Sequence, residues 1–194
     1  MADDVPALEA DVRALRAAGD LAGAATAAIR GLGPPVLRYL RSLLRDEDDA
    51  AEAFSLFAEN VWRGLPGFRE EASLRTWAYR LAWNAAQNLR DAAWRRKGRR
   101  FATGEASALA DEVRTRTAVV VERQRQALAK LRAALPVEDQ SLLVLRIDQE
   151  LSWVEVAEIL ADEGEAVDSA ALMKRFERLK GKLAKLAREA GLLE

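Results

Sequence analysis

Apolar residues return every three or four positions along much of this chain, which is the period of one face of an α-helix. In residues 1–33 the repeat is set by Leu8, Val12, Leu15 and Leu21. We expect Gly19 to end the first helix in a left-handed conformation and Asp20 to cap the next one. The segment is predicted to be an amphipathic helical hairpin.

The pattern is interrupted by the Gly- and Pro-rich segment 31–35. We expect a helix break there, with Pro35 in the first turn of a new helix. The acidic run 46–49 should lie at the start of a further helix over residues 50–65, because the helix dipole favours negative charge at that end. One face of that helix carries Phe54, Phe57, Val61 and Trp62.

The C-terminal third predicts a helix-turn-helix. Ser152 and Glu155 have the spacing of a capping box at the start of its first helix. A second helix over residues 169–190, capped by Asp168, has one apolar stripe and many Lys and Arg residues elsewhere. Its stripe consists of Leu172, Phe176, Leu179, Leu183 and Leu186. The arrangement favours a recognition helix, although a solvated charged helix is the alternative. The acidic turn 161–167 is longer than the usual three or four residues.

Composition limits the kinds of binding site and catalytic group that the chain can have. The chain has 30 basic and 31 acidic residues, so any contact with DNA must come from local basic patches. It has neither Cys nor His, which excludes disulfides and thiolate zinc sites and removes the commonest general base. No apolar run reaches the roughly 18 residues of a membrane span, and the acidic N-terminus is unlike a signal peptide. We therefore expect a cytoplasmic protein.

The most informative stretch covers residues 67–90, where aromatic and basic residues alternate. Aromatic rings stack with bases and arginines hold phosphates, which is how single-stranded nucleic acid is bound. Ser73 is the expected N-cap of the helix. The alternative to nucleic-acid binding is a structural role for this stretch, because Leu74, Trp77 and Leu81 also follow the period of a core face. Trp77 and Tyr79 lie about 200° apart around a helix, so we expect one of them in the core.

This stretch, with the arginine cluster that follows it, closely resembles the promoter-melting segment of bacterial sigma factors, most narrowly the extracytoplasmic-function (ECF) class. The resemblance implies an all-α fold with two helical domains. Residues 1–100 would form the domain that binds polymerase and the minus-ten element, and residues 101–118 a linker. Residues 119–194 would form a helix-turn-helix domain for the minus-thirty-five element.

The resemblance also assigns residues to roles. The minus-ten DNA contacts would be Arg69, Arg75, Trp77, Tyr79, Arg80, Trp83, Asn84, Asn88, Arg95, Arg96, Arg99 and Arg100. The recognition helix would contribute Ser169, Ala170, Lys174, Arg175, Arg178 and Lys182. Polymerase binding would involve Arg41, Asp49, Glu52 and Trp62. The implied partners are the β′ and β subunits of core RNA polymerase and promoter DNA, while an anti-sigma partner stays an open question. No catalysis, metal or cofactor is implied.

Two other classes of protein compete with this interpretation. One is a degenerate sigma-like or helix-turn-helix DNA-binding regulator that does not itself direct initiation. It is favoured a little by Ser55-Leu56, where the sigma family usually has a polar Gln-Glu pair, by the acidic turn and by the neutral balance of charge. A hydrolase or transferase has little support. The run 46–49 offers oxygen ligands for a divalent cation, but it fits a helix start better.

Overall fold

The structure, a computed structural model, describes residues 5–44, 46–93, 135–161 and 167–189. Every regular element within these ranges is helical, which confirms the predicted all-α fold. The chain divides into two compact units, residues 1–121 and residues 122–194. The predicted linker and both of its boundaries lie outside the described residues, as does most of the long acidic turn.

Seven α-helices lie within the described ranges. In the first unit they are α1 (Val5–Ala17), α2 (Leu21–Leu43), α3 (Glu47–Gly64) and α4 (Leu74–Ala93), with a 3-10 turn at Leu65–Gly67. In the second unit they are α5 (Val137–Leu143), α6 (Trp153–Leu160) and α7 (Ser169–Glu189), and α5 continues as a π-helical turn at Val144–Asp148.

The core of the first unit lies between α2, α3 and α4, with α1 packed on α2. Its largest fully buried side chains are Tyr39, Tyr79, Phe54, Phe57 and Ile29. The two tyrosine rings meet edge to face at 5.3 Å between centroids, which joins α2 to α4. Such aromatic pairs contribute beyond their buried area, and here they fix which face of α4 points inward.

The expected break at residues 31–35 is wrong, because α2 runs through both prolines without interruption. A proline in a helix interior costs about 3 kcal/mol, since it removes a backbone donor. Buried apolar residues flank the prolines on both sides, Leu32 before them and Val36 and Leu37 after them. Burying each such side chain contributes about 1.5–3 kcal/mol, which offsets the cost of the prolines. Gly31 allows close packing, because a side chain there would collide with Leu8 of α1.

The helix ends follow the predicted capping chemistry. Gly19 has a φ of 80°, and the Asp20 side chain accepts a hydrogen bond from the Gly23 amide at 2.8 Å. Ser73 accepts one from the Thr76 amide at the start of α4. Ser152 and Glu155 form both bonds of the capping box, and Asp168 accepts from the Ala170 amide. Local sequence therefore sets where these helices begin.

Asp46 shows how much one cap is expected to contribute. Its carboxylate accepts hydrogen bonds from the amides of Asp48 and Asp49 at 2.8 and 3.0 Å. Asp46→Ala should lower the free energy of unfolding of the first unit by about 1 kcal/mol. Asp48→Ala is the matched control, because it removes the same charge from an exposed position and should change stability by less than about 0.5 kcal/mol. Equal losses in urea unfolding would mean that charge, rather than capping, stabilises the end of α3.

The second unit packs α7 against α5 and α6. Leu172, Phe176 and Leu179 of the predicted stripe are buried, while Leu183 and Leu186 are partly exposed. The rings of Phe176 and Trp153 of α6 meet edge to face, with 5.3 Å between their centroids. The Arg146 guanidinium lies over the Trp153 ring, 5.1 Å from its centroid. The apolar stripe thus turns one face of α7 inward and leaves the basic face outward.

Candidate nucleic-acid interface

Helix α4 separates its residues into two faces. The inward face carries Tyr79 and Trp83, which are 0% and 3% exposed, together with a row of small alanines. The outward face carries Trp77, Arg80, Leu81, Asn84 and Asn88, all partly or fully exposed. Residues three, four and seven apart lie on one side of a helix, so this outward face is a continuous stripe about three turns long. We call it the α4 stripe.

Two of the aromatics predicted to contact DNA are buried in this structure. Tyr79 packs on Tyr39, and Trp83 is enclosed, with no hydrogen-bond partner for its indole nitrogen among the described residues. Neither ring offers a free face for base stacking in this structure. Of the core face predicted from Leu74, Trp77 and Leu81, only Leu74 is buried, and Tyr79 and Trp83, one turn apart, point inward instead. Both rings are packing residues in this structure, and a direct DNA contact by either stays a prediction.

Trp77 remains available at the first turn of α4. It is half-buried, and its ring stacks against Phe68 at 4.9 Å between centroids with planes tilted by 34°. Gly64 at the end of α3 leaves room for it, because a side chain there would come within 3.1 Å of the indole. Phe68 and Trp77 thus form a partly exposed aromatic pair beside the α4 stripe.

The predicted arginines differ in their surroundings. Arg69 and Arg80 are exposed, whereas Arg75 is half-buried and its Nε atom lies inside the protein. The side chain of Arg69 is 3.9 Å from Glu71. The predicted phosphate contacts Arg95, Arg96, Arg99 and Arg100 lie outside the described residues.

The segment between α3 and α4 brings in residues that sequence reasoning missed. Glu70 receives hydrogen bonds from Arg13 Nε at 3.1 Å and from Arg16 Nη1 at 2.6 Å, both from α1. Arg16 also donates to the Phe68 carbonyl oxygen at 2.6 Å, and its guanidinium lies over the Phe68 ring at 5.6 Å. More than fifty residues separate these partners along the chain, so no local pattern could have revealed them.

The predicted polymerase-binding residues fall into two groups. Arg41 at the end of α2 forms an ion pair with Glu47 at 3.0 Å, and Asp49 and Glu52 are exposed on the following turns of α3. Trp62 is half-buried, ten residues beyond Glu52, which is about 15 Å along the helix. Ser55 and Leu56, the departure from the family pattern, are half-buried between the two groups, and the Ser55 hydroxyl donates to the Ala51 carbonyl.

The second unit presents the basic face of α7. Ala170, Lys174, Arg178 and Lys182 are exposed, and Ser169 is half-exposed at the first position of the helix. Arg175 is different, because its Nε atom forms a 2.6 Å ion pair with Asp139 of α5. A guanidinium held against another helix is less free to reach a base edge. The prediction that Arg175 reads bases is untested, and Arg178 is the better-exposed arginine.

Comparison with known proteins supplies the deciding observation. Residues 28–100 match the family described as sigma-70 region 2.

The matched range 28–100 contains all of the predicted polymerase-binding residues and the whole α4 stripe. RNA polymerase sigma factor YlaC of Bacillus subtilis (strain 168) is 36% identical to this chain over 108 residues. That match covers 50% of this chain and 56% of the relative, so the chain spans little more than half of the relative's length. The predicted resemblance to sigma factors is thus confirmed over residues 28–100. Helix α1 and the second unit lie outside the matched range 28–100.

Two features are absent from the described ranges. No helix in these ranges has the length and apolar character needed to cross a bilayer. No group of acidic side chains there, the run 46–49 included, has the arrangement of a metal site.

Proposed function

We propose that this chain is a sigma factor of the ECF class, which directs core RNA polymerase to promoters and helps to open the DNA. The observation that carries the proposal is the match of residues 28–100 to sigma-70 region 2, together with the outward stripe of α4. That stripe combines a stacking ring, a cation and two amides, which suit unpaired bases and their phosphates. The proposal assigns the polymerase, and not this chain, the chemistry of RNA synthesis.

The first unit would bind the polymerase and the minus-ten element. Arg41, Asp49 and Glu52 lie around the junction of α2 and α3, on the side where the family contacts a coiled coil of the β′ subunit. Trp62 would extend this contact along α3. Because these residues and the α4 stripe belong to one helical unit, polymerase binding would hold the stripe at a fixed position on the promoter.

The second unit would read the minus-thirty-five element and contact the β subunit. Two observations support this role: α6 begins with a capping box, and α7, which packs against it, exposes a basic face. The first turns of a recognition helix enter the major groove, and Lys174, Arg178 and Lys182 are exposed on α7. The role places the protein in the cytoplasm with the polymerase, and leaves open whether an anti-sigma partner controls it.

The proposal is tested by in vitro transcription. Purified full-length chain is added to core polymerase, which initiates poorly on promoters alone, with a promoter library as template. We expect transcripts with defined start sites that depend on this chain. Random initiation, or no binding to core polymerase in a pull-down, would reject the proposed function and leave a DNA-binding regulator.

The recognition helix gives a more specific expectation. Arginine can donate two parallel hydrogen bonds to guanine, so Arg178→Ala should weaken promoter binding by about 1–3 kcal/mol and relax preference at one base position. Lys182→Ala should weaken all sequences alike, because lysine more often holds the backbone. Selection from a promoter library with each variant separates the two. Identical sequence profiles for the two variants would reject base reading by Arg178.

A further inference from the structure

The carboxylate of Glu70 lies between two arginines of α1. One Glu70 oxygen accepts from Arg13 and the other accepts from Arg16. Two cations around one pair of oxygens is also the arrangement in which arginines bind a phosphate group. We call Arg13, Arg16 and Glu70 the α1 clamp. The α1 clamp carries two positive charges and one negative charge, and the carboxylates of Glu9 and Glu71 line the cavity beside it.

Two features of the α1 clamp favour release of the Glu70 carboxylate from the arginines. The side chains of Arg13 and Glu70 are 65% and 40% exposed, so the ion pair between them is screened by water and weak, whereas Arg16 is 19% exposed. Glu70 also has a φ of 60°, a left-handed conformation that is unfavourable for residues other than glycine. A change of backbone conformation at Glu70 that moves its carboxylate away would also release this strain.

Arg16 would stay in position when Glu70 leaves. Its second terminal nitrogen donates to the Phe68 carbonyl, and its guanidinium rests over the Phe68 ring. The clamp borders an open cavity of about 320 Å³, which Glu9, Glu71 and Ser73 also line. The aromatic pair of Phe68 and Trp77 lies next to it. A stacking surface directly beside a pair of arginines favours single-stranded nucleic acid over other phosphate ligands.

We infer that Arg13 and Arg16 form a binding site for a backbone phosphate of single-stranded nucleic acid, and that Glu70 occupies this site until the strand displaces it. The inference rests on the proposed function, because it adds a contact to the strand that the α4 stripe binds. It gives α1, which lies outside the region 2 match, a direct part in that binding.

The test is the affinity of the full-length chain for a fluorescent single-stranded oligonucleotide, measured by anisotropy at several salt concentrations, alone and with core polymerase. Glu70→Gln should raise affinity roughly tenfold at low salt, about the effect of one charge-assisted hydrogen bond. The salt dependence should steepen by about 0.7 in slope for the extra phosphate contact. Arg13→Ala/Arg16→Ala should lower the affinity of the wild type and abolish the gain from Glu70→Gln.

Asp11→Asn is the matched control, because it removes the same charge from an exposed position of α1 that does not line the cavity. An equal gain in this control would overturn the inference, since the effect would then be general electrostatics. Weaker binding by a folded Glu70→Gln variant would overturn it too, because Glu70 would then only position the segment. Free phosphate competing as well as the oligonucleotide at equal ionic strength would reject the strand as ligand. Failure to bind core polymerase would reject the proposed function but not this site, since oligonucleotide binding by the chain alone is measured separately.

Discussion

Tyr79→Ala should lower the free energy of unfolding of the first unit by about 3–5 kcal/mol, the range for removing a large buried ring. The ring is fully enclosed and joins α4 to α2 through its contact with Tyr39. Because small domains are stable by only about 5–15 kcal/mol, this one change should remove a large share of the stability of the first unit. Urea unfolding followed by circular dichroism measures the loss.

Leu81→Ala is a suitable control for Tyr79→Ala, since Leu81 lies on the same helix but is half-exposed on the outward side. It should cost clearly less stability. A Tyr79→Ala variant that unfolds at the same urea concentration as the wild type, yet loses affinity for single-stranded DNA, would show that the ring faces the nucleic acid and that the packing described for α4 is wrong.

Trp77→Ala should instead reduce affinity for single-stranded promoter DNA by about 1–3 kcal/mol, the usual effect of losing one stacked base. The indole is half-buried against Phe68, and it is the one tryptophan of α4 at the outward stripe. Its exposed edge lies one turn before Arg80, so a base on the ring would keep its phosphate near a cation. Anisotropy with a labelled non-template strand measures the effect.

Trp77→Phe separates stacking from packing in this second experiment. A phenyl ring keeps an aromatic surface against Phe68, so this variant should retain most of the affinity that Trp77→Ala loses. Both variants are compared at a temperature where circular dichroism shows them folded. Full affinity in a folded Trp77→Ala variant would exclude this ring as the stacking surface.

These two predictions assign opposite roles to residues only two positions apart. Sequence composition treats Trp77, Tyr79 and Trp83 alike, as aromatics among arginines. The structure divides them, because successive residues of a helix point 100° apart and only one side of α4 is free of α2 and α3. The same division leaves Arg80, Asn84 and Asn88 on the outward side of α4.

The sequence by itself determined the local features of this protein. Capping residues set the starts of α2, α3, α4 and α6, because a side-chain oxygen and the amide it accepts from lie within three residues of each other. The apolar period determined the helices and the inward stripe of α7. The aromatic and basic pattern of residues 67–90 was specific enough to suggest the family that the region 2 match then confirmed.

Only the tertiary structure decided the features that join distant parts of the chain. Helix α2 continues through Pro34 and Pro35 because burial on both sides outweighs the lost hydrogen bonds, a balance that local propensity does not contain. Arg16 meets Glu70, and Arg175 meets Asp139, across separations of 54 and 36 residues. Such pairs depend on which helix faces pack together, and the period of a single helix cannot specify its neighbour.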